Sequence, residues 1–387
     1  MDFSRFDGTP RYAEFRDRVR RFLDAELTPE VRAEIEERND DHHPGFFKAL
    51  AAEGWLIPDF DPTDPLATGT TPLDFWEYEI LDAELHAATA PWPQISTTRM
   101  VLPSIVKFAR EPVRSQVIGE VLAGETALTL GYTEPSGGSD VADARTRARR
   151  QEDGSWIISG SKVYTTGAHH SKYIFLLTTS NPEVKKGRGL TMFVLPTDLP
   201  GVQIDPILTL GERTNTVFFS DVRLSDDYRL GEVDQGWTVL QGPLDAEHSV
   251  GGADQGRHGD IGQQYQRRLA NGLYQALDSL AASGTLDAAD DGVASVVGET
   301  ALKLYLSGAA REMSARVAGA QNYIDGMDDL VALLGPDSFE QPSDDPAGHL
   351  SRLQQRAQVS TIFGGTVEVF RNLIARHLGL PRPAYRP

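Results

Sequence analysis

The stretch Tyr132-Thr133-Glu134-Pro135-Ser136-Gly137-Gly138-Ser139-Asp140 follows an apolar run, Thr126 to Tyr132, and ends it abruptly. Three small residues, Ser136, Gly137 and Gly138, let backbone amides approach a bound group closely, and Thr133 and Ser139 add hydroxyl donors. The composition suits a loop that wraps an anionic or polar ligand. Gly and Ser are also ordinary turn residues, so the run in isolation reads equally well as a polar turn.

Its surroundings differ on the two sides. Upstream the chain reads as helices. Thr9-Pro10, Thr28-Pro29 and Thr71-Pro72 each set a capping residue before a proline, a helix-start signal. Tyr12, Phe15, Val19, Phe22 and Leu23 recur at helical spacing, as do Leu73, Trp76, Ile80, Leu81 and Leu85. Pro112 opens a further helix to Leu122. Downstream come short runs rich in Thr, Val, Ile and aromatics: Ser155 to Ile158, Tyr173 to Thr178, Leu190 to Leu195 and Thr216 to Val222, punctuated by Gly, Pro and Asp. Helical patterning returns after Gly236 and persists to Leu378, with loop-like stretches at Asp287–Gly292 and Gly335–Gly348. The expectation is an α+β multidomain chain: an N-terminal helical domain over 1–124, a central β domain over 125–235 and a C-terminal helical bundle over 236–387. One β block between two helical blocks is unlike a doubly wound sheet, and neither G-x-G-x-x-G after a strand nor a Walker-type loop occurs.

Bulk properties narrow the function classes. The chain has 387 residues, 40% of them hydrophobic, a formal charge of −19 and no cysteine. Such a composition supports a packed core, and the acidity disfavours nucleic acid while leaving room for one small anion held by local amides. Without cysteine there are no disulfides, thiolate metal sites or thiol nucleophiles. No apolar run reads as a membrane span, and residues 1–21 lack the apolar core of a signal peptide. The expectation is a cytoplasmic protein.

The order Thr-Glu-Pro, small residues, Ser-Asp resembles the flavin-binding signature of the acyl-CoA dehydrogenases. Gly160-Ser161-Lys162-Val163-Tyr164-Thr165-Thr166 is similar to that family's second flavin segment. Phe363-Gly364-Gly365-Thr366-Val367-Glu368-Val369-Phe370-Arg371 resembles its Gly-Thr-x-Glu-x-x-Arg helix start, continued by Ile374-Ala375-Arg376 and Leu378-Gly379-Leu380-Pro381-Arg382. With the helical–β–helical order, the resemblance covers essentially the whole chain. It implies FAD between the β domain and the C-terminal helices, abstraction of the proton α to an acyl-CoA thioester, and hydride transfer from the β carbon to flavin N5. The product would be a trans-2-enoyl-CoA, and the electrons would leave to an electron-transferring flavoprotein. By the same resemblance, Leu130, Tyr132, Thr133, Ser139, Tyr164, Thr166, Thr366 and Glu368 contact FAD. Tyr164 would lie against the isoalloxazine, and Thr366 and Glu368 near the pyrophosphate and ribityl side. Ser139, Leu244, His248 and Gly364 would border the substrate.

The reaction needs a carboxylate as base. In many relatives it directly precedes the Gly-Thr pair, where this chain has Gly364, which has no side chain. Another family solution carries the glutamate on an earlier helix in the setting Leu-Asp-x-Glu-Arg. Here Leu244-Asp245-Ala246-Glu247-His248 matches it, making Glu247 the expected base, against the plain alternative of a surface glutamate. His248 replaces the arginine usual there. His169-His170 lacks a third neighbouring ligand, so a solvated loop is expected there and no metal.

Two segments that homomeric relatives lend to a neighbouring subunit's flavin, Arg-x-x-Phe-Gly and Gln-x-x-Gly-Gly-x-Gly, are not visible. After Glu247 stand Gly251, Gly252, Gly256 and Gly259, and before Phe363 stands Leu334-Gly335-Pro336-Asp337. In a twofold homomer a lent piece missing from one chain is missing from both sites. The expectation is a hetero-oligomer with a related dehydrogenase subunit, the alternatives being a homodimer or homotetramer. A flavin oxidase or monooxygenase on the same fold, and a non-catalytic subunit, are the competing functions. The relocated glutamate hints, by resemblance, at a bulky, branched or steroid-derived acyl chain.

Overall fold

The computed structural model describes residues 10–38, 42–58, 60–61, 64–66, 72–91, 93–210, 213–247, 261–286, 290–310, 312–339 and 346–380. The chain forms two compact units, 1–244 and 245–387. Among the described residues the first opens with helices α1 (Pro10–Glu26), α2 (Pro29–Glu37), α3 (Pro44–Ala52), α4 (Phe75–Ala87), α5 (Pro93–Phe108) and α6 (Val113–Leu122). Their apolar faces share one core: Phe15, Val19 and Leu23 of α1 meet Phe46, Phe47 and Leu50 of α3, and Ile80, Leu81 and Leu85 of α4. The proline starts hold at Pro10 and Pro29. Thr71-Pro72 does not open α4. Asp74 does, through a reciprocal capping box with Glu77, and Trp76 is left largely exposed.

Eight strands follow: β1 (Leu128–Gly131), β2 (Arg147–Arg150), β3 (Trp156–Lys162), β4 (Tyr173–Thr179), β5 (Leu190–Pro196), β6 (Val202–Leu208), β7 (Arg213–Leu224) and β8 (Arg229–Leu230). They form one sheet in the order β6-β7-β3-β2-β4-β5-β8, with β1 pairing parallel to β4. The two halves of this sheet meet at a single residue pair, Arg147 of β2 with Thr179 of β4. β4 and β5 are almost wholly buried, as their unbroken apolar runs require. Gly131 is tightly enclosed: a Cβ there would lie 2.7 Å from Ile174 Cγ2 and 2.9 Å from Leu176 Cδ1, so a side chain would force one of them to shift. β2 and β6 are not evident from sequence. Arg147-Ala148-Arg149-Arg150 buries only its alanine, and β6 alternates weakly and carries Pro206 at the edge of the sheet. Helix α7 (Gly236–Glu247) follows, its Val239 and Leu240 buried in the helical core.

The second unit holds α8 (Ile261–Ala282), α9 (Asp291–Ala309), α10 (Glu312–Leu334), α11 (Pro346–Ala357) and α12 (Val367–His377). α10 packs on α8, α9, α11 and α12 around Tyr265, Leu269, Tyr323, Met327, Leu330 and Leu350. The expected loop at Asp287–Gly292 is shorter than its composition indicates. Asp290 caps α9 by accepting from Gly292 N and Val293 N, so Asp291 and Gly292 are helical. Within Gly335–Gly348, Pro336–Phe339 forms a 3-10 turn and Pro346 opens α11. In words, the architecture is an N-terminal helical block, a middle β block and a C-terminal helical block.

Candidate functional site

In the first unit the two sequence segments around Thr133 and Tyr164 lie side by side. Val163 N donates to Thr133 O at 2.9 Å, and Lys162 Nζ donates to Tyr132 O at 3.1 Å. The main fastening is an ion pair. Glu134 and Lys162 approach to 2.7 Å with side chains 6% and 0% exposed. The Glu134 carboxylate also accepts from Arg145 N at 2.7 Å and Thr146 N at 2.8 Å. It therefore ties the loop to β3 and to the chain entering β2. Burial alone would push the Glu134 carboxyl up. The Lys162 ammonium and the two amide donors outweigh that and hold it below the usual glutamate value. Burial pushes the Lys162 ammonium down to about 8, with Glu134 resisting the shift, so the pair is ionised at neutral pH.

The loop beyond Glu134 is open. Ser136, Gly137 and Ser139 are exposed, and a Cβ on Gly137 would meet nothing within 4 Å. A Cβ on Gly138 would come to 3.0 Å from Thr133 Cγ2, so the loop folds tightly over Thr133 there. Leu130 and Thr133 are half-buried and Tyr132 is buried.

Past Lys162 the backbone turns sharply. Tyr164 has φ +59°, a left-handed conformation that costs a bulky residue on the order of 1–2 kcal/mol, and its ring is 63% exposed. Thr165 N donates to Asn215 O at 2.9 Å, and Asn215 Nδ2 donates to Thr165 O at 3.1 Å. Thr129 Oγ1 donates to Thr166 O at 2.6 Å, and the Thr166 and Thr214 hydroxyls share a hydrogen bond at 2.9 Å. The expected pair of contact residues, Tyr164 and Thr166, thus stands on a segment anchored by β1 and β7. Sequence reading missed Asn215, Thr214, Thr129 and the Glu134–Lys162 pair. Glu134 and Lys162 stand inside the motifs themselves, but spacing does not reveal that they meet.

His169 and His170 are not a solvated loop. Both are half-buried, their rings lie 4.0 Å apart, and the His170 ring packs, tilted by 31°, against His42 of the helical block at 4.7 Å. Leu244 is half-buried against the helical core. Glu247 ends α7, its side chain being outside the described residues, as are His248, Gly251, Gly252, Gly256 and Gly259.

In the second unit, Gly364 and Gly365 both take left-handed backbone, at φ +66° and +85°, and deliver Thr366 as the N-cap of α12, where its hydroxyl accepts from Val369 N at 3.3 Å. Glu368 is exposed in the first turn. The turn rests on the buried Arg316, whose Nη2 donates to Phe363 O and to Gly365 O, with the guanidinium over the rings of Tyr265, Phe363 and Phe370.

An exposed aromatic on an anchored, left-handed segment, flanked by hydroxyls and an open small-residue loop, offers a face of the kind a planar, polar group can lie on. The buried Thr165 Oγ1, which has no hydrogen-bond partner among the described residues, leaves one more polar group at the same place. Comparison with known proteins gives the class. Models of the N-terminal, middle and C-terminal domains of acyl-CoA dehydrogenases match residues 9–125, 129–226 and 286–379. IpdE1 of Mycobacterium tuberculosis, an acyl-CoA dehydrogenase, is 30% identical over 296 residues, 73% of this chain and 74% of its own length. FadE29 of the same organism, also an acyl-CoA dehydrogenase, is 30% identical over 246 residues, so the match spans 62% of that protein and 62% of this one. The solved Tcur3481–Tcur3483 steroid ACAD superposes with a TM-score of 0.80 at 25% identity, covering 96% of this chain and 98% of that one.

The chain belongs to the acyl-CoA dehydrogenase family. Membership implies a flavin cofactor, which the exposed Tyr164 face and the hydroxyls of Thr133 and Thr166 fit.

Proposed function

We propose that this chain is the FAD-bearing subunit of an acyl-CoA dehydrogenase that converts an acyl-CoA thioester to its trans-2-enoyl-CoA. The observation that carries the reading is the clasp of Glu134 and Lys162, which brings Leu130–Thr133 beside Val163–Thr166 within a chain matched by all three family domains. When bound, FAD supplies the two-electron acceptor, and the protein supplies orientation and proton handling. Leu130, Tyr132, Thr133 and Ser139 would hold the flavin from the loop side, Tyr164 and Thr166 from the β3 side, and Thr366 and Glu368 along its pyrophosphate and ribityl portion. Glu247 would take the α proton, since Gly364 offers no carboxylate, while Leu244, His248, Ser139 and Gly364 border the acyl-CoA. The three-part division at 1–124, 125–235 and 236–387 belongs to the same reading.

The likeness to a steroid ACAD named for two chains, together with the two lent segments lacking in this sequence, supports a hetero-oligomer acting on a bulky, steroid-derived acyl group in lipid breakdown. An electron-transferring flavoprotein would accept the electrons. Among the described residues no helix is long and apolar enough to cross a membrane, which is compatible with a cytoplasmic site of action.

Anaerobic reduction of bound flavin by a panel of acyl-CoA thioesters tests the reading, using the chain co-purified with its partner. Glu247→Gln should retain flavin and lose at least about 100-fold in the reduction rate, the scale of a lost general base. A rate near that of wild type would remove Glu247 from the role. Full flavin occupancy in a homomer of the chain alone would remove the second subunit. Rapid reoxidation of the reduced flavin by air would favour an oxidase.

A further inference from the structure

The register of β3 with β7 pairs Gly160 with Phe219, Ser161 with Phe218 and Lys162 with Val217. Continued, it would set Tyr164 opposite Asn215. The left-handed backbone of Tyr164 breaks the ladder there, yet Asn215 is wholly buried and not idle. Its carbonyl accepts from Thr165 N, and its side-chain amide returns a bond to Thr165 O. A side chain thus replaces the backbone rung that the kink removes.

The orientation of that amide follows from its neighbours. Nδ2 lies 3.1 Å from the Thr165 carbonyl oxygen, which only accepts, so the nitrogen must face it. Oδ1 faces Arg213 Nη2 at 3.5 Å, the complementary arrangement. The second Nδ2 hydrogen then points at His169 Nδ1, 3.1 Å away. That nitrogen must be an acceptor, so the ring of His169 carries its proton on Nε2. The ring of His169 lies against that of His170 at 4.0 Å with a 42° tilt, and His170 lies against His42 at 4.7 Å with a 31° tilt, which confines the ring.

We propose that Asn215, oriented by His169, is a positioning residue that holds Tyr164 in its left-handed conformation and so sets the aromatic face and the Thr166 hydroxyl presented to the flavin. This rests on the flavin site proposed above. Neither Asn215 nor His169 need touch the cofactor. Both act through the backbone of Thr165.

Two measurements on the co-purified enzyme test it. The first needs no flavin. Without the clamp a strained Tyr164 can relax out of the left-handed region and recover part of the loss, whereas glycine adopts that backbone without strain and has nothing to recover. The fall in thermal midpoint caused by Asn215→Leu should therefore be larger in a Tyr164→Gly background than with Tyr164 present. Additivity of the two changes would overturn the clamp. The second reads the flavin. Asn215→Asp keeps the size and the backbone carbonyl but loses both donations. It should shift the visible circular dichroism of the flavin and lower kcat on the order of tenfold, the scale of one lost buried hydrogen bond, with KM for acyl-CoA within about twofold. His169→Phe should reproduce the shift more weakly. Unchanged flavin dichroism and kcat in a flavin-loaded Asn215→Asp enzyme would refute the positioning role. Absence of flavin from the wild-type complex would instead refute the proposed function, while the coupling test would still judge the clamp.

Discussion

Lys162→Met removes the charge that faces Glu134 at 2.7 Å while keeping an unbranched chain in a position with no solvent exposure. At an effective dielectric of about 20, two unit charges at that distance attract by roughly 6 kcal/mol. Desolvation of both groups offsets most of this, so the intact pair adds little net stability. Removing one partner is different, because the other charge stays buried, a loss of about 3–5 kcal/mol. Glu134 would keep its bonds from Arg145 N and Thr146 N, which places the expected cost near the lower end, about 3 kcal/mol. With a urea slope of about 3 kcal/mol per M, suited to a unit of this size, the midpoint should fall by about 1 M. Tryptophan fluorescence reports the transition, since the buried Trp156 lies on the same strand as Lys162. The double variant Glu134→Gln/Lys162→Met, with no charge left to bury, should recover more than half of the loss. A shift below about 0.3 M for Lys162→Met would mean that the pair behaves as a surface ion pair, and the clasp could not organise the loop.

Two further outcomes are expected. Asp226 is raised by burial but lowered more strongly by hydrogen bonds from Arg229 and Trp156 Nε1 and by the charges of Arg229 and Arg110, which bring it down to about 2. The unfolded chain therefore binds that proton more tightly, so the stabilisation is complete above about pH 4 and is lost as pH falls toward 2. Asp226→Asn should flatten the acid limb of unfolding in that window, and an unchanged slope would refute the linkage. Thr366→Ala should lower the stability of the second unit by about 1 kcal/mol and weaken flavin retention, whereas Thr366→Ser should do neither, as scored by the thermal midpoint and bound flavin after dialysis.

The block order, β1, β3, β4, β5 and β7, and most helix starts were legible because each carries a local signal: a period, a cap or an apolar run. The shift from Pro72 to Asp74 at α4 shows two local signals in competition, with the reciprocal box satisfying two backbone donors where a lone threonine satisfies one. β2 was illegible because a strand with one core-facing residue has no period to read, and its pairing with β3 is settled by the partner. The site divides in the same way. The motif residues announced themselves by type and order. Asn215 and Thr214 did not, because the strand register that brings them to Thr165 and Thr166 is a non-local fact about β3 and β7.

The sheet's single-rung junction bears on how this protein can change. Arg147 and Thr179 are the ladder pair that joins its two halves; beside it, Thr179 N bonds Thr146 O, a shared apolar core including Trp156, Ile158, Ile174 and Phe193 spans the line, and Lys162 on Tyr132 and Glu134, Val163 on Thr133 and Thr129 on Thr166 add further fastening. Residues proposed above to face the flavin, Tyr132, Thr133 and Thr166, are among those that hold the two halves together. Retuning the surface by substitution at these positions therefore loosens the joint at the same time.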